Sequence, residues 1–218
     1  NKGPLTGNLW ASGETSALNH VTVDENGTLD LQAHAIAQGT ISIDGTVTVQ
    51  NNKWLYNAST TREAVSLTGT GTLNLSGDGT TGNLGSEEYR GGFDIGKDLT
   101  ITTLGFSIGY IYANLTNEGT ITTKAGDLMF DGNTIENTGS IVTGGKAITL
   151  RNATVSGVGT LNGANGELQL NGTTVNDGTL TGKLGTYGNT STLKQVTVDE
   201  NGTLDIQAHA IAQGTISI

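Results

Sequence analysis

The sequence predicts an all-β chain wound into a right-handed parallel β-helix, a β-solenoid of about 20 residues and three short strands per coil. Three observations lead there. Glycine, threonine, asparagine and serine make up just under half of the 218 residues, far above their usual share, and they are poor helix formers. Apolar residues recur in columns spaced about 20 residues apart. A long segment of the chain is also repeated almost verbatim, which marks a tandem array.

The long repeat opens the chain. Residues 21–43 read VTVDENGTLDLQAHAIAQGTISI, and residues 196–218 repeat them with Leu31 replaced by Ile206. Upstream, Gly7, Leu9, Gly13 and Leu18 match Gly182, Leu184, Gly188 and Leu193. The unit is therefore roughly 175 residues long. Residues 1–175 are expected to form one tandem unit and residues 176–218 the start of the next, within one continuous solenoid. Residues 51–98 follow the columns poorly and carry Trp54, Tyr56, Arg62, Glu63, Glu87, Glu88, Tyr89, Arg90 and Phe93. Loops or wider turns are expected there.

Residues 99–177 hold four aligned periods. The first apolar column is Ile101, Ile121, Ile141, Leu161 and Leu180, and the fourth is Leu115, Ile135, Val155 and Val175. The second reads Ile108, Leu128, Ile148, Leu168, and the third Tyr110, Phe130, Leu150, Leu170. Second and third columns lie two residues apart, so their side chains share one strand face. Ile148 is expected inside and its neighbour Thr149 outside. Glycine, asparagine and aspartate between columns supply the corners. A unit this short buries its apolar residues only by stacking on the next one.

The formal charge of -10 with 10 lysines and arginines argues against nucleic acid, whose phosphates demand basic residues. No cysteine is present, so a disulfide framework is excluded. No apolar run is long enough for a membrane-spanning helix. The chain opens at Asn1 without a signal peptide, which predicts a window cut from a longer array.

The recurrent phrase Gly-Thr/Ser-aliphatic, as at Gly119, Gly139 and Gly159, the segment VSLTGTGTLNLSGD at 65–78 and the lack of cysteine resemble bacterial surface β-solenoid exoproteins. These are the filamentous-haemagglutinin-like adhesins and autotransporter passenger domains. The resemblance implies a secreted, stiff stalk or filament at the bacterial cell surface, serving adhesion, biofilm or matrix formation. Its implied partners are further copies of itself, joined head to tail or stacked, and matrix or host glycans and proteins. It brings no catalytic residues.

Other chemistries compete with this expectation. A carbohydrate-binding or carbohydrate-cleaving β-helix needs clustered carboxylates; Asp94 with Asp98, or Glu87 and Glu88 beside Arg90, are the candidates. Solvated loop charges explain them as well, and no catalytic residue or cofactor is expected. His34 and His209 occupy one repeat position, and His20 is replaced by Gln195 in the second copy. That swap speaks against a required catalytic or metal role. Calcium could use the acidic turns at 23–28, 198–203 and 76–83, although none follows a known calcium-loop spacing. Eight Asn-x-Ser/Thr triplets, beginning at Asn26, Asn57, Asn74, Asn114, Asn152, Asn171, Asn189 and Asn201, are possible glycosylation sites; asparagine at stacked corners explains them too. An outward row of Thr100, Thr120, Ser140, Thr160 and Thr179 raises an ice-binding solenoid, but its partner column reads Thr102, Thr122, Val142, Asn162, Thr181. The best candidate ligand or partner surface is Trp54, Tyr56, Glu87, Glu88, Tyr89 and Arg90, with Tyr110 and Tyr112 alternating on a strand of their own. Aromatic faces stack on sugars and anchor protein interfaces.

Overall fold

The computed structural model describes residues 6–50, 52–58, 63–76, 82–88, 91–105 and 108–218. Among them are 24 strands and no helix. Every named strand pairing is parallel, and the strands link into a single sheet. Among the described residues no helix is long and apolar enough to cross a membrane. The chain is a parallel β-solenoid of about ten turns with a spacing near 20 residues.

Three ladders run along it. The first joins Leu9, Leu29, Val47, Leu73, Ile101, Ile121, Ile141, Leu161, Leu180 and Val198, each paired with the next. The second joins Ala35, Leu55, Leu84, Ile111, Phe130, Leu150 and Leu170. The third joins Val65, Phe93, Leu115, Ile135, Val155, Val175 and Leu193. From Leu29 to Leu193 nearly all of these side chains are fully buried and form one core cluster. Alternation along each strand puts the intervening threonines and charged residues on the outside.

The first and fourth expected columns stand as read. The second and third shift by one residue in the 99–118 coil. Gly109, Tyr110 and Ile111 pair with Leu128, Met129 and Phe130, so Ile111 fills the core and Tyr110 faces out. Ile108 is only half-buried. The physical reason lies in the corners. This coil places one more residue between Ile101 and the second ladder, and one fewer between that ladder and Leu115, than its neighbour does. A one-residue slip turns every side chain to the opposite face.

The irregular stretch has a simple form. Val47 pairs with Leu73 and Leu73 with Ile101, so these two coils hold more residues than the regular 20-residue step seen at Asn117 and Asn137. The strands keep their register and the extra residues sit in the connections. Asn51, Arg62 and most of the 76–83 turn lie outside the described residues.

The repeated phrase Gly-Thr has a steric cause. A Cβ on Gly139 would overlap the Gly119 carbonyl oxygen, and one on Gly159 would meet the Gly139 carbonyl. Successive corners stack so closely that only hydrogen fits there.

The two sequence copies do not occupy equivalent places. Leu29 and Leu31 lie on the first ladder, paired with Leu9 and Ala11. Their counterparts Leu204 and Ile206 lie on the second, paired with Leu184 and Thr186. Ala35 is on the second ladder, whereas its counterpart Ala210 pairs with Ser191 on the third. The 175-residue unit therefore spans about eight and a third coils, and the second copy starts one ladder further round.

Candidate ligand surface

The outer face above the second ladder carries the aromatic residues. Lys53–Tyr56 pairs with Gly82–Leu84, which pairs with Gly109–Ile111. Leu55, Leu84 and Ile111 point inward and are fully buried. Trp54, Asn83 and Tyr110 therefore form an outward row, with His34 next to Trp54 on the preceding coil.

This row lines a groove of about 580 Å³, bounded by Asn52, Trp54, Asn83, Ser86, Glu87, Glu88, Tyr110 and Tyr112. Trp54 is 38% exposed. With the Asn83 amide turned so that its oxygen faces the indole, Trp54 Nε1 donates to it at 2.6 Å. The His34 ring packs at 4.7 Å from the indole, tilted by 43°. Burial, then the Lys53 charge, lowers the His34 pKa, which favours the neutral imidazole. Tyr110 and Tyr112 have parallel rings, 3° apart in plane and 5.4 Å between centroids. The Tyr112 phenol is pushed up to about 12, first by burial and then by the nearby Glu87 carboxylate.

Gly85 makes the corner that brings the glutamates in. Its φ is +80° and a Cβ there would meet the Ala113 backbone nitrogen, so glycine is required on two counts. The chain then turns through buried Ser86 and exposes Glu87 and Glu88.

Of the expected surface, Trp54, Glu87 and Glu88 come together. Tyr56 shares the outer face of Trp54 but does not line the groove. Tyr89 and Arg90 lie outside the described residues. Asn52, Asn83 and Ser86 carried no sequence signal. Tyr110 and Tyr112 did, through the alternation Tyr-Ile-Tyr, which the shifted column obscured for Tyr110.

Beyond the groove, Asp131 and Arg151 form a two-pronged ion pair at 3.0 and 2.7 Å. Glu167 accepts from Gln169, Tyr187 and Lys183 at 2.7–2.9 Å. The Gln169 bond first, then those from Tyr187 and Lys183, hold the Glu167 carboxyl down near 2. The same carboxylate raises Tyr187 to about 12. The Asp131–Arg151 pair and the Glu167 bonds to Tyr187 and Lys183 clamp successive coils together.

Asp94 shares a shallow groove with Glu136, separated from it along the ladder by Thr116. Asp98 lies 3.9 Å from Lys97 on the open surface. His34 packs on Trp54, and its repeat counterpart His209 is exposed. Among the described residues, no three histidines or carboxylates converge as metal ligands. Asn57 and Asn74 are buried, so those two triplets are closed to a glycan in the folded chain. The threonine row is longer than expected, running from Thr28 through Thr46 and Thr72 to Thr179. Its partner row still breaks at Val142 and Asn162.

No protein-family model, curated protein or solved structure matches this chain.

Proposed function

We propose that the chain is a segment of a long extracellular tandem-repeat β-solenoid, a rigid stalk or filament that serves adhesion, biofilm or matrix formation at a bacterial cell surface. The coil is right-handed and carries three short strands per turn. The three ladders support the strand count, and the strong preference of parallel crossovers for right-handed connection supports the hand. The rod itself has no catalytic role; it holds surface features apart at fixed spacing.

The observation that carries this reading is the continuous stack of coils. The first ladder runs unbroken from Leu9 to Val198, and residues 196–218 repeat the sequence of residues 21–43 within it. A stack of this kind lengthens unit by unit without needing a new core. Repetition of the unit therefore gives a rod, joined head to tail in one chain or stacked between copies.

Small-angle scattering on the 218-residue chain and on a chain lengthened by one further unit of roughly 175 residues tests this. The longest dimension should grow by about 40 Å with the added unit while the cross-section stays constant. A lengthened chain that thickens instead of extending would contradict the proposal.

A further inference from the structure

We propose that the aromatic groove receives the guanidinium group of an arginine side chain on a partner polypeptide. Three features of the groove select this chemistry. Aromatic side chains with π faces line it: Trp54 on one coil, and Tyr110 with Tyr112 on another. Such faces carry negative charge density and attract cations. Its rim carries Glu87 and Glu88, and no lysine or arginine is among the described residues that line it. The nearby Arg151 is already clamped by Asp131 through two hydrogen bonds. Among the described residues the lining is thus negative, with the nearby Lys53 charge acting on His34, on a chain whose net charge is already -10.

Geometry favours arginine over lysine. The Tyr110 and Tyr112 rings are stacked, parallel within 3° at 5.4 Å between centroids, and a flat group suits the outer face of such a stack as a further layer. A guanidinium is flat, is weakly hydrated, and keeps its edge N–H groups free to reach carboxylates. Lysine offers a compact, strongly hydrated charge instead. A neutral sugar fits less well. The Trp54 N–H is already donated to Asn83, and an uncharged ligand would desolvate two carboxylates with no opposite charge in return. A polypeptide partner follows from the setting: the groove lies on the outer face of the solenoid, and about 580 Å³ holds a side chain together with flanking backbone. The inference does not depend on the rod being continuous, since the groove is complete within residues 52–112.

The probe is the peptide acetyl-Gly-Arg-Gly-amide, with its citrulline counterpart as an uncharged isostere and cellobiose as a neutral sugar. The chain has two tryptophans, so Trp10→Phe leaves Trp54 as the only one, read by excitation on the red edge where tyrosine does not absorb. If that variant misfolds, the two indole N–H resonances of the unsubstituted chain give the same readout by NMR. The arginine peptide should perturb Trp54 saturably in the millimolar range and weaken as salt rises. Citrulline should bind at least about tenfold more weakly, as should arginine to Glu87→Gln/Glu88→Gln. Both carboxylates are exposed, so the double variant should retain its circular dichroism. Equal binding of the arginine and citrulline peptides, or unchanged binding to the double variant, would overturn the proposal. So would tighter binding of cellobiose, which would reassign the groove to sugars, or no response of Trp54 to the arginine peptide.

Discussion

Ile148 and Thr149 are one residue apart, yet they sit in opposite environments. Ile148 is fully buried on the second ladder's face, between Leu128 and Leu168. Thr149 points out and donates to Gln169 at 3.1 Å. Ile148→Ala should cost about 2–5 kcal/mol, because it removes packed methyl groups and leaves a cavity. Thr149→Ala loses one partly exposed hydrogen bond and should cost about 0.5–1 kcal/mol. Denaturant unfolding measures both; similar losses would contradict the assignment of faces. Gly139→Ala should be as damaging as a core truncation, although it adds an atom. The new methyl meets the Gly119 carbonyl, and a backbone group cannot rotate aside; a loss of about 2 kcal/mol or more is expected. Glu167 makes stability depend on pH. Its carboxyl falls from the ordinary 4.5 to about 2 in the folded chain, so its stabilisation is complete above pH 4.5 and is lost as pH falls toward 2. Tyr187 acts at the other end: raised from 10.0 to about 12, it stabilises fully below pH 10 and loses that effect as pH rises to 12. Melting curves should show the gap between the wild type and Glu167→Gln narrowing from pH 5 to pH 2. A constant gap across that range would rule the clamp out.

At the scale of the strand, the 99–118 coil shows what sequence patterns convey and where they fail. Ile101, Ile121 and Ile141, or Leu115, Ile135 and Val155, could be read directly. Their 20-residue spacing is uninterrupted and each is flanked by turn residues. Tyr110 was misplaced because it sits 20 residues before Phe130, and nothing local in Gly-Tyr-Ile-Tyr says that a corner has gained a residue. Register is set by stacking on the next coil, which a single period does not reveal. The same blindness affects the groove. Trp54 and Glu87 are far apart in sequence, and their meeting depends on how many residues the connection between Tyr56 and Gly82 takes up. The prediction is a reversal of the apparent column. Ile111→Ala should cost about 2–5 kcal/mol and Tyr110→Ala about 1 or less, since only Ile111 is fully buried. A second device at this scale is the buried amide pair: Asn117 Nδ2 donates to Asn137 Oδ1 at 2.7 Å on successive coils. Both side chains are buried, so Asn137→Ala leaves a polar partner unsatisfied and should cost about 1–3 kcal/mol.

For the whole molecule, the ladder shift between the repeat copies has the largest consequence. Neighbouring parallel strands lie about 4.8 Å apart, so a unit of about eight and a third coils advances about 40 Å along the axis. Because Leu29 and Leu204 lie on successive ladders, the proposed coil of three strands would also turn each unit's features about a third of the way round. An array of such units would present the Trp54 groove at three azimuths and return to its starting direction after about 120 Å. The unit length was legible from the 23-residue repeat alone. The rotation was not, because it depends on the residue count of every intervening coil, including the two enlarged ones after Val47.

Cryo-electron microscopy of a chain carrying four tandem 175-residue units tests the solenoid rod most directly. A straight fibre one solenoid wide is expected, with strands stacked about 4.8 Å apart along its axis. Its units should recur about every 40 Å, each turned by about a third of a revolution. Separate globules, or strands running along the fibre axis, would contradict it.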